Sequence, residues 1–381
     1  MNIKLILISI LSIIHFGSLG QPDTTKPSVE TSPNGPEKVK YLNDLFREEI
    51  NINPKKAIDY AREAKELAEK INDDTGLAAA LNNIGVAYRN QGAVDKALEY
   101  YLQALSIVDR LQDKAGVAST KNNIATIYAL KRDYLQALNY YLESNQLLVE
   151  INDERLPGSL NNIGNIYTEL GTFDKALEYF TQAYREAEKQ GRKFSDPLNN
   201  IGNVNFQQGN LQRAAEYYER ALEIEKTNEN RINLINTLGN LGAVYAQAKQ
   251  PKKAEPFLTE AMEIAENSGA RAYLPRLYKI YADVYYQQNK MKEAYEALLK
   301  YKELNEKLNS EESSRRIAQM EIALEFQEKE NQLAILKQRE QILEMQANNA
   351  RIFVILGLMM LVLLVAFGYV YYVYQKGKTE E

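Results

Sequence analysis

The sequence contains no cysteine, and its single histidine, His15, lies near the N-terminus. The absence of cysteine excludes disulfide bonds, thiol catalysis and thiolate metal sites. We expect His15 to be removed with a leader peptide, which leaves carboxylates as the common metal ligands, and no carboxylate cluster has ligand spacing. The net charge is −5, with both signs dispersed and no basic stripe, which argues against a nucleic-acid partner.

Motifs of the common enzyme classes are also missing. There is no glycine-rich phosphate loop, no Gly-x-Ser-x-Gly and no zinc-protease motif. Without cysteine or a retained histidine, the usual pairs of nucleophile and base cannot form. Adjacent acids such as Asp73-Asp74 and Glu311-Glu312 fit solvated charges. We therefore predict a protein that is not an enzyme, with no catalytic residues, no cofactor and no metal.

What the sequence does contain is a pattern that recurs about every 40 residues. Its clearest copy runs over residues 81–88, Leu-Asn-Asn-Ile-Gly-Val-Ala-Tyr, and continues to an alanine at position 97. That alanine recurs as Ala57, Ala137, Ala176, Ala214, Ala254 and Ala294. Self-similarity at this period indicates a stacked array of repeats.

The spacing within one copy is helical. Ile84, Gly85 and Tyr88 fall on one face of a first helix, and Ala97 begins the apolar stripe of a second. Small residues at Gly85 and Ala97 fit places where two helix axes approach closely. Between the helices, residues 90–92 end in a glycine that can adopt a positive φ.

This pattern resembles the tetratricopeptide repeat family, in its longer form of about 40 residues. The resemblance covers roughly residues 41–303 and implies an all-α superhelical solenoid of about seven helix-turn-helix units, followed by a long helix and a transmembrane helix. Departures are local: Asn205 replaces the tyrosine of one first helix, and Pro251 and Pro256 enter the sixth pair. We expect a looser stack there and no break in it.

An asparagine lies two positions before the glycine position of each fuller copy. These candidate peptide-binding residues are Asn83, Asn123, Asn162, Asn200 and Asn240. The resemblance implies that first helices line the concave surface and that asparagine at this place contacts ligand peptide. An amide donates and accepts, so a row of them can bind an extended backbone. Weaker candidates are the preceding Asn82, Asn122, Asn161 and Asn199. Alternatively these amides bond neighbouring helices and hold the stack, and the two roles are compatible.

The segments before the array predict export. Residues 1–20 combine Lys4, an apolar run and small residues before Gln21, which indicates a cleaved signal peptide, with an uncleaved anchor as the alternative. Residues 21–38 are rich in proline and polar residues and are expected to form a disordered linker. The array is expected to occupy residues 39–303.

Residues 304–350 are rich in Glu, Gln, Lys and Arg, and predict one long helix. Coiled-coil seam positions hold Ile322, Phe326, Leu333, Leu336 and Leu343, interrupted by Lys329 and Glu340. The helix is therefore expected to be either a weak coiled coil that forms a homodimer or a lone spacer.

Residues 352–374 contain no charge and are long enough, at roughly 1.5 Å per residue, to cross a hydrocarbon core of about 30 Å. Tyrosines crowd the distal end at positions 369, 371, 372 and 374, and Lys376 and Lys378 follow. Together with the leader, this predicts a single-pass protein of the bacterial inner membrane. The array would be periplasmic, and residues 375–381 would form a short cytoplasmic tail.

Three functions fit these features. The first is an interaction module that binds a peptide or protein in its concave groove on the extracytoplasmic side. The order of leader, array, long helix and membrane crossing also resembles the sensor half of Bacteroidetes membrane histidine kinases and regulators. Because residues 375–381 are too short for an output domain, a sensory component would need its kinase or DNA-binding output on a separate or truncated chain. A purely structural scaffold is the third, and the sequence does not separate it from the first.

Overall fold

The computed structural model describes residues 35–227 and 230–379, without the side chains of 312–323, 325, 326 and 371–379. The predicted signal peptide, and the predicted linker as far as residue 34, lie outside the described residues. The described part of the chain is helical and contains no strand. Residues up to Leu304 form one compact unit, and residues from Asn305 onward form a second.

The first unit is built from consecutive helical pairs, which confirms the predicted all-α solenoid. The pairs among the described residues are α1 (Pro36–Glu49) with α2 (Pro54–Ile71), α3 (Asp74–Asn90) with α4 (Val94–Arg110), α5 (Lys114–Leu130) with α6 (Tyr134–Glu150), α7 (Leu156–Glu169) with α8 (Phe173–Lys189), α9 (Asp196–Gln207) with α10 (Leu211–Glu225), α11 (Arg231–Gln247) with α12 (Pro251–Asn267), and α13 (Leu274–Gln287) with the start of α14 (Met291–Thr379). A short 3-10 helix, Arg271–Tyr273, precedes α13.

Local sequence signals set the helix ends. Asp73 accepts a hydrogen bond from the Gly76 backbone N–H at 2.9 Å, which caps the start of α3. Gly92 has φ of 80°, the left-handed conformation predicted for it, and Gly171, in the turn between α7 and α8, has φ of 70°. Each turn therefore reverses the chain within a few residues and returns the second helix onto the first.

A glycine in the first helix lets a large side chain of the second helix approach its backbone. A Cβ on Gly164 would lie 2.5 Å from Cε1 of Phe180, and a Cβ on Gly85 would lie 2.5 Å from Cε1 of Tyr101. The recurring alanines of the second helices are fully buried, at 0% exposure for Ala57, Ala97, Ala137, Ala176, Ala214 and Ala254. Small residues thus allow the close approach of the two helices in each pair.

Stacked aromatic rings join the two helices farther along the second, third, fourth and sixth pairs, as in Tyr88 on Tyr100 with ring centroids 5.4 Å apart. The fifth pair departs from this arrangement, because buried Asn205 turns its amide inward and donates to the Ile201 carbonyl at 2.8 Å. In the sixth pair α12 begins at Pro251 and continues through Pro256, so the helix is not broken.

One carboxyl group is buried between the fifth and sixth pairs. Glu225, only 1% exposed, accepts a hydrogen bond from the Asn199 amide at 2.8 Å, and its Oε2 has no partner. Burial raises the pKa of Glu225, and the nearby Asp196 carboxyl raises it further, while the hydrogen bond from the Asn199 amide opposes the shift. Among the described residues, Glu225 forms no ion pair with a cation.

The second unit consists of the continuation of α14 to Thr379. Its segment Gln327–Val370 is the one stretch among the described residues that is long and apolar enough to cross a membrane, by length and composition. All side chains from 352 to 370 are exposed. Leu333, Leu336 and Leu343 are also exposed, whereas the side chains of the other two predicted seam residues, Ile322 and Phe326, are outside the description.

Replacing Gly164 by alanine should lower the free energy of unfolding by about 1–3 kcal/mol, because the new methyl group would overlap the Phe180 ring. Urea denaturation followed by circular dichroism measures the change. Gly158→Ala, in the same helix and with nothing within 4 Å of its Cβ position, is the matched control and should stabilise by about 0.5–1 kcal/mol. Equal effects of the two substitutions would contradict the close-approach argument.

The Glu225 carboxyl should make stability depend on pH. Since its folded-state pKa is raised above the ordinary 4.5, the native state binds the proton more tightly, and stability falls as the pH rises through that window. Glu225→Gln should therefore raise the thermal midpoint at pH 7 and flatten its pH dependence. The exposed Glu223→Gln on the same helix is the control and should change neither. A lower midpoint for Glu225→Gln at pH 7 would contradict this account.

Candidate functional site

The five predicted asparagines lie on the first helices of consecutive pairs, α3, α5, α7, α9 and α11. Four of them use an amide N–H to bond the preceding pair: Asn83 to Asn43 at 2.8 Å, Asn162 to Asn122 at 3.2 Å, Asn200 to Asn161 at 3.0 Å and Asn240 to Asn203 at 3.4 Å. Within the described residues Asn123 has no side-chain hydrogen bond. The structure thus brings four of the five into a row of hydrogen bonds between neighbouring helical pairs.

The preceding asparagines take part in the same network. Asn122 and Asn161 accept two of the bonds above, and Asn82 donates to Thr120 Oγ1 at 2.8 Å. Asn199 donates to Glu225, as described, and accepts from Thr237 Oγ1 at 2.9 Å. These contacts perform the stacking role that the sequence left open. Each asparagine keeps further donor and acceptor capacity, because an amide side chain offers two N–H groups and two lone pairs.

The first helices α7, α9, α11 and α13 together enclose a polar cavity of about 440 Å³, called here the amide groove. Its asparagines are Asn161, Asn165, Asn199, Asn200, Asn203, Asn233, Asn236 and Asn240, and its charged residues are Asp196 and Arg276. Of the five predicted residues, only Asn200 and Asn240 line it. Asn162 lines a separate cavity of about 220 Å³ together with Asn122, and Asn83 and Asn123 line neither.

Two amides of the groove are uncommitted. Asn165 and Asn236 have no side-chain hydrogen-bond partner among the described residues, and Asn165 is exposed. The sequence analysis missed both. A signal existed for Asn165, because it lies three residues after Asn162 and therefore on the same helix face. A bound molecule can reach these amides without breaking an existing bond.

Opposite charges also line the groove. Asp196 accepts from the Asn233 amide at 2.9 Å, and burial raises its pKa against the effect of that bond. Arg276 donates to Asn240 Oδ1, and burial lowers the pKa of its guanidinium, which nonetheless stays charged at neutral pH. In the described part of the chain no carboxylate pairs with Arg276. Nothing in the repeat pattern marks either charged residue.

A larger recess of about 660 Å³ lies between α12, α13 and the start of α14. It is lined by tyrosines and by four glutamates, but its polar groups are partly engaged: Tyr281 bonds Thr259, and Lys290 lies 5.4 Å from the Tyr285 ring centroid. The amide groove offers free donors and acceptors on neighbouring helices, so it is the better candidate despite its smaller volume.

Several solved structures share the fold. A STAND protein with a tetratricopeptide repeat sensor from Pyrococcus horikoshii aligns with a TM-score of 0.62 at 21% identity, over 72% of this chain and 43% of that one. The apo form of RapI gives 0.56 at 18%, over 72% and 99%. A Rap protein complexed with competence and sporulation factor gives 0.54 at 15%, over 73% and 89%. No curated protein matches the sequence.

A family model for the tetratricopeptide repeat matches residues 53–110, 116–189 and 194–267. These segments make up more than half of the chain, and they end close to the boundaries of the helical pairs described above. The chain therefore belongs to the tetratricopeptide repeat family, whose arrays serve as modules for protein–protein interaction.

Proposed function

We propose that the protein is a membrane-anchored interaction module that binds an extended peptide or protein segment in the amide groove, on the extracytoplasmic side of the membrane. One observation carries the proposal: Asn165 and Asn236 present uncommitted amides in a cavity built from four neighbouring first helices. A purely structural stack would have no need of unbonded amides in such a cavity.

The chemistry of the groove suits a peptide backbone. An extended segment presents N–H and C=O groups in alternation, and an amide side chain can satisfy either group. Asn200 and Asn240 retain unused hydrogen-bonding capacity beside the two free amides and can add contacts. Their hydrogen bonds to the preceding helical pairs fix the two side chains before a ligand arrives, which reduces the conformational entropy lost on binding.

Binding at Asn83, Asn123 and Asn162 is a weaker part of the proposal, because these residues lie outside the amide groove. A longer ligand would have to continue along the first helices to reach them. The Asn123 side chain has no hydrogen bond among the described residues, and Asn162 lines the separate cavity of about 220 Å³. The groove contacts at Asn200 and Asn240 therefore form the centre of the proposed site.

Membrane anchoring is supported by the apolar segment that ends α14. Its side chains from 352 to 370 are exposed to the surroundings of the helix, and such a surface is stable in lipid and unstable in water. The orientation of the protein rests on the predicted signal peptide, which would carry the array across the membrane. The lysines after the apolar segment agree with a cytoplasmic end.

The free amides should govern binding and leave folding intact. A phage-displayed library of unstructured peptides, selected on the purified protein, would supply a probe peptide. The double variant Asn165→Ala, Asn236→Ala should then raise the dissociation constant of that peptide about tenfold or more, because each lost hydrogen bond is worth about 1 kcal/mol. Isothermal titration calorimetry measures the affinity, and the thermal midpoint should stay unchanged.

The matched control is Asn43→Ala, which removes a hydrogen bond between the first and second helical pairs, outside the amide groove. It should lower the thermal midpoint while the affinity of the folded fraction stays near that of the native protein. If the double variant binds the selected peptide as tightly as the native protein, the groove is not the binding site.

The orientation can be tested with single cysteines, since the native chain has none. Ile52→Cys, at an array position that is 80% exposed, should react with a membrane-impermeant maleimide in cells whose outer membrane is permeabilised. Lys378→Cys should react only after the inner membrane is also disrupted. The reverse pattern would place the array in the cytoplasm and contradict the proposal.

A further inference from the structure

Three exposed leucines of α14 form an apolar face. Leu333, Leu336 and Leu343 are 40%, 60% and 58% exposed, and their spacing of three and seven residues places them on one side of the helix. In a heptad repeat Leu333 occupies an a position, and Leu336 and Leu343 occupy d positions. The remaining seam position between them holds Glu340.

Charges beside this face lack partners on their own helix. Arg339 has only apolar residues three and four positions away, and Glu344 has Glu340 four positions before it and no cation within reach. Neither residue forms an ion pair with any described side chain. In the heptad set by the leucines, Arg339 takes the g position and Glu344 the following e position. Parallel coiled coils place these two positions opposite each other on different chains.

We propose that residues 327–350 pair, parallel and in register, with the same segment of a second copy of this chain. The three leucines meet their counterparts in the seam, and Arg339 of each copy lies against Glu344 of the other. This charge pattern selects the parallel arrangement, because an antiparallel pair would set g positions against g positions and leave Arg339 without Glu344. The inference does not depend on peptide binding, so either proposal can fail while the other stands.

Two residues keep the interaction weak. Glu340 meets its own copy in the seam, and Lys329 does the same three seam positions earlier, so both sites place like charges together. A dimer that contains these two repulsive sites forms at the high local concentration of a membrane and dissociates on dilution. Replacing either residue by leucine removes a repulsion and should strengthen the dimer.

A charge reversal tests the pairing. Full-length protein in detergent micelles, labelled for energy transfer between copies, reports the dimer fraction on dilution. Arg339→Glu and Glu344→Arg should each raise the dissociation constant about tenfold, because two attractive contacts become repulsive in every dimer. The double variant should restore the native value. Gln338→Glu, on the opposite face, is the control and should have no effect. A double variant as weak as the single ones would overturn the pairing.

Disulfide trapping tests the register, again because the chain has no native cysteine. In membranes, Leu336→Cys should crosslink to itself on mild oxidation, and Gln338→Cys should not. Crosslinking of Gln338→Cys alone would overturn the seam. A lack of crosslinks at both positions would mean that the leucine face lies on the lipid surface or against another protein, and would also overturn the proposal.

Discussion

The structure depends on the close approach of a second helix to the backbone of the first helix in each pair. Gly85, Gly164 and their counterparts provide this approach, because any side chain would overlap the ring or leucine opposite. The third pair manages with Ala125, where the Tyr141 ring is held by a hydroxyl contact to Thr126 at 3.0 Å. The constraint is thus the short distance between the two helices of a pair, and most pairs reach that distance because the first helix has a glycine there.

That constraint determines what the asparagines can do. Once each pair has one fixed geometry, the next pair can only stack in one register, and first helices line up with amides at bonding distance. Asn162 and Asn200 each bond an asparagine on the first helix of the preceding pair in this way. The residues one helical turn further on, such as Asn165, are carried to the same surface without a partner. Stacking and binding are therefore divided between neighbouring turns of one helix.

The fold was largely predictable because its rules are local. Helical spacing, turn glycines such as Gly92 and the repeat period each follow from residues near one another in the sequence. The site was less predictable, because a hydrogen-bond partner depends on the register between helices about 40 residues apart. Asn240 bonds Asn203 and not the residue that the repeat would suggest. Asn43, on the first helix of the first pair, which lacks the Asn-Asn-Ile-Gly sequence, bonds Asn83, and Arg276 has no counterpart in the pattern.

Apolar side chains are more stable away from water in both units, but only the array buries them within the chain. In the array, the small and aromatic residues of each stripe are buried by the neighbouring helix, so they need no other molecule to cover them. The described part of the second unit is a single helix, and its apolar residues are exposed. Such residues need an external environment: lipid suits the uncharged run from 352 to 370, whereas the leucine face with Arg339 and Glu344 beside it is too charged for lipid. A second helix of the same sequence covers the leucines and pairs both charges at once, which is why self-association fits this segment better than membrane contact.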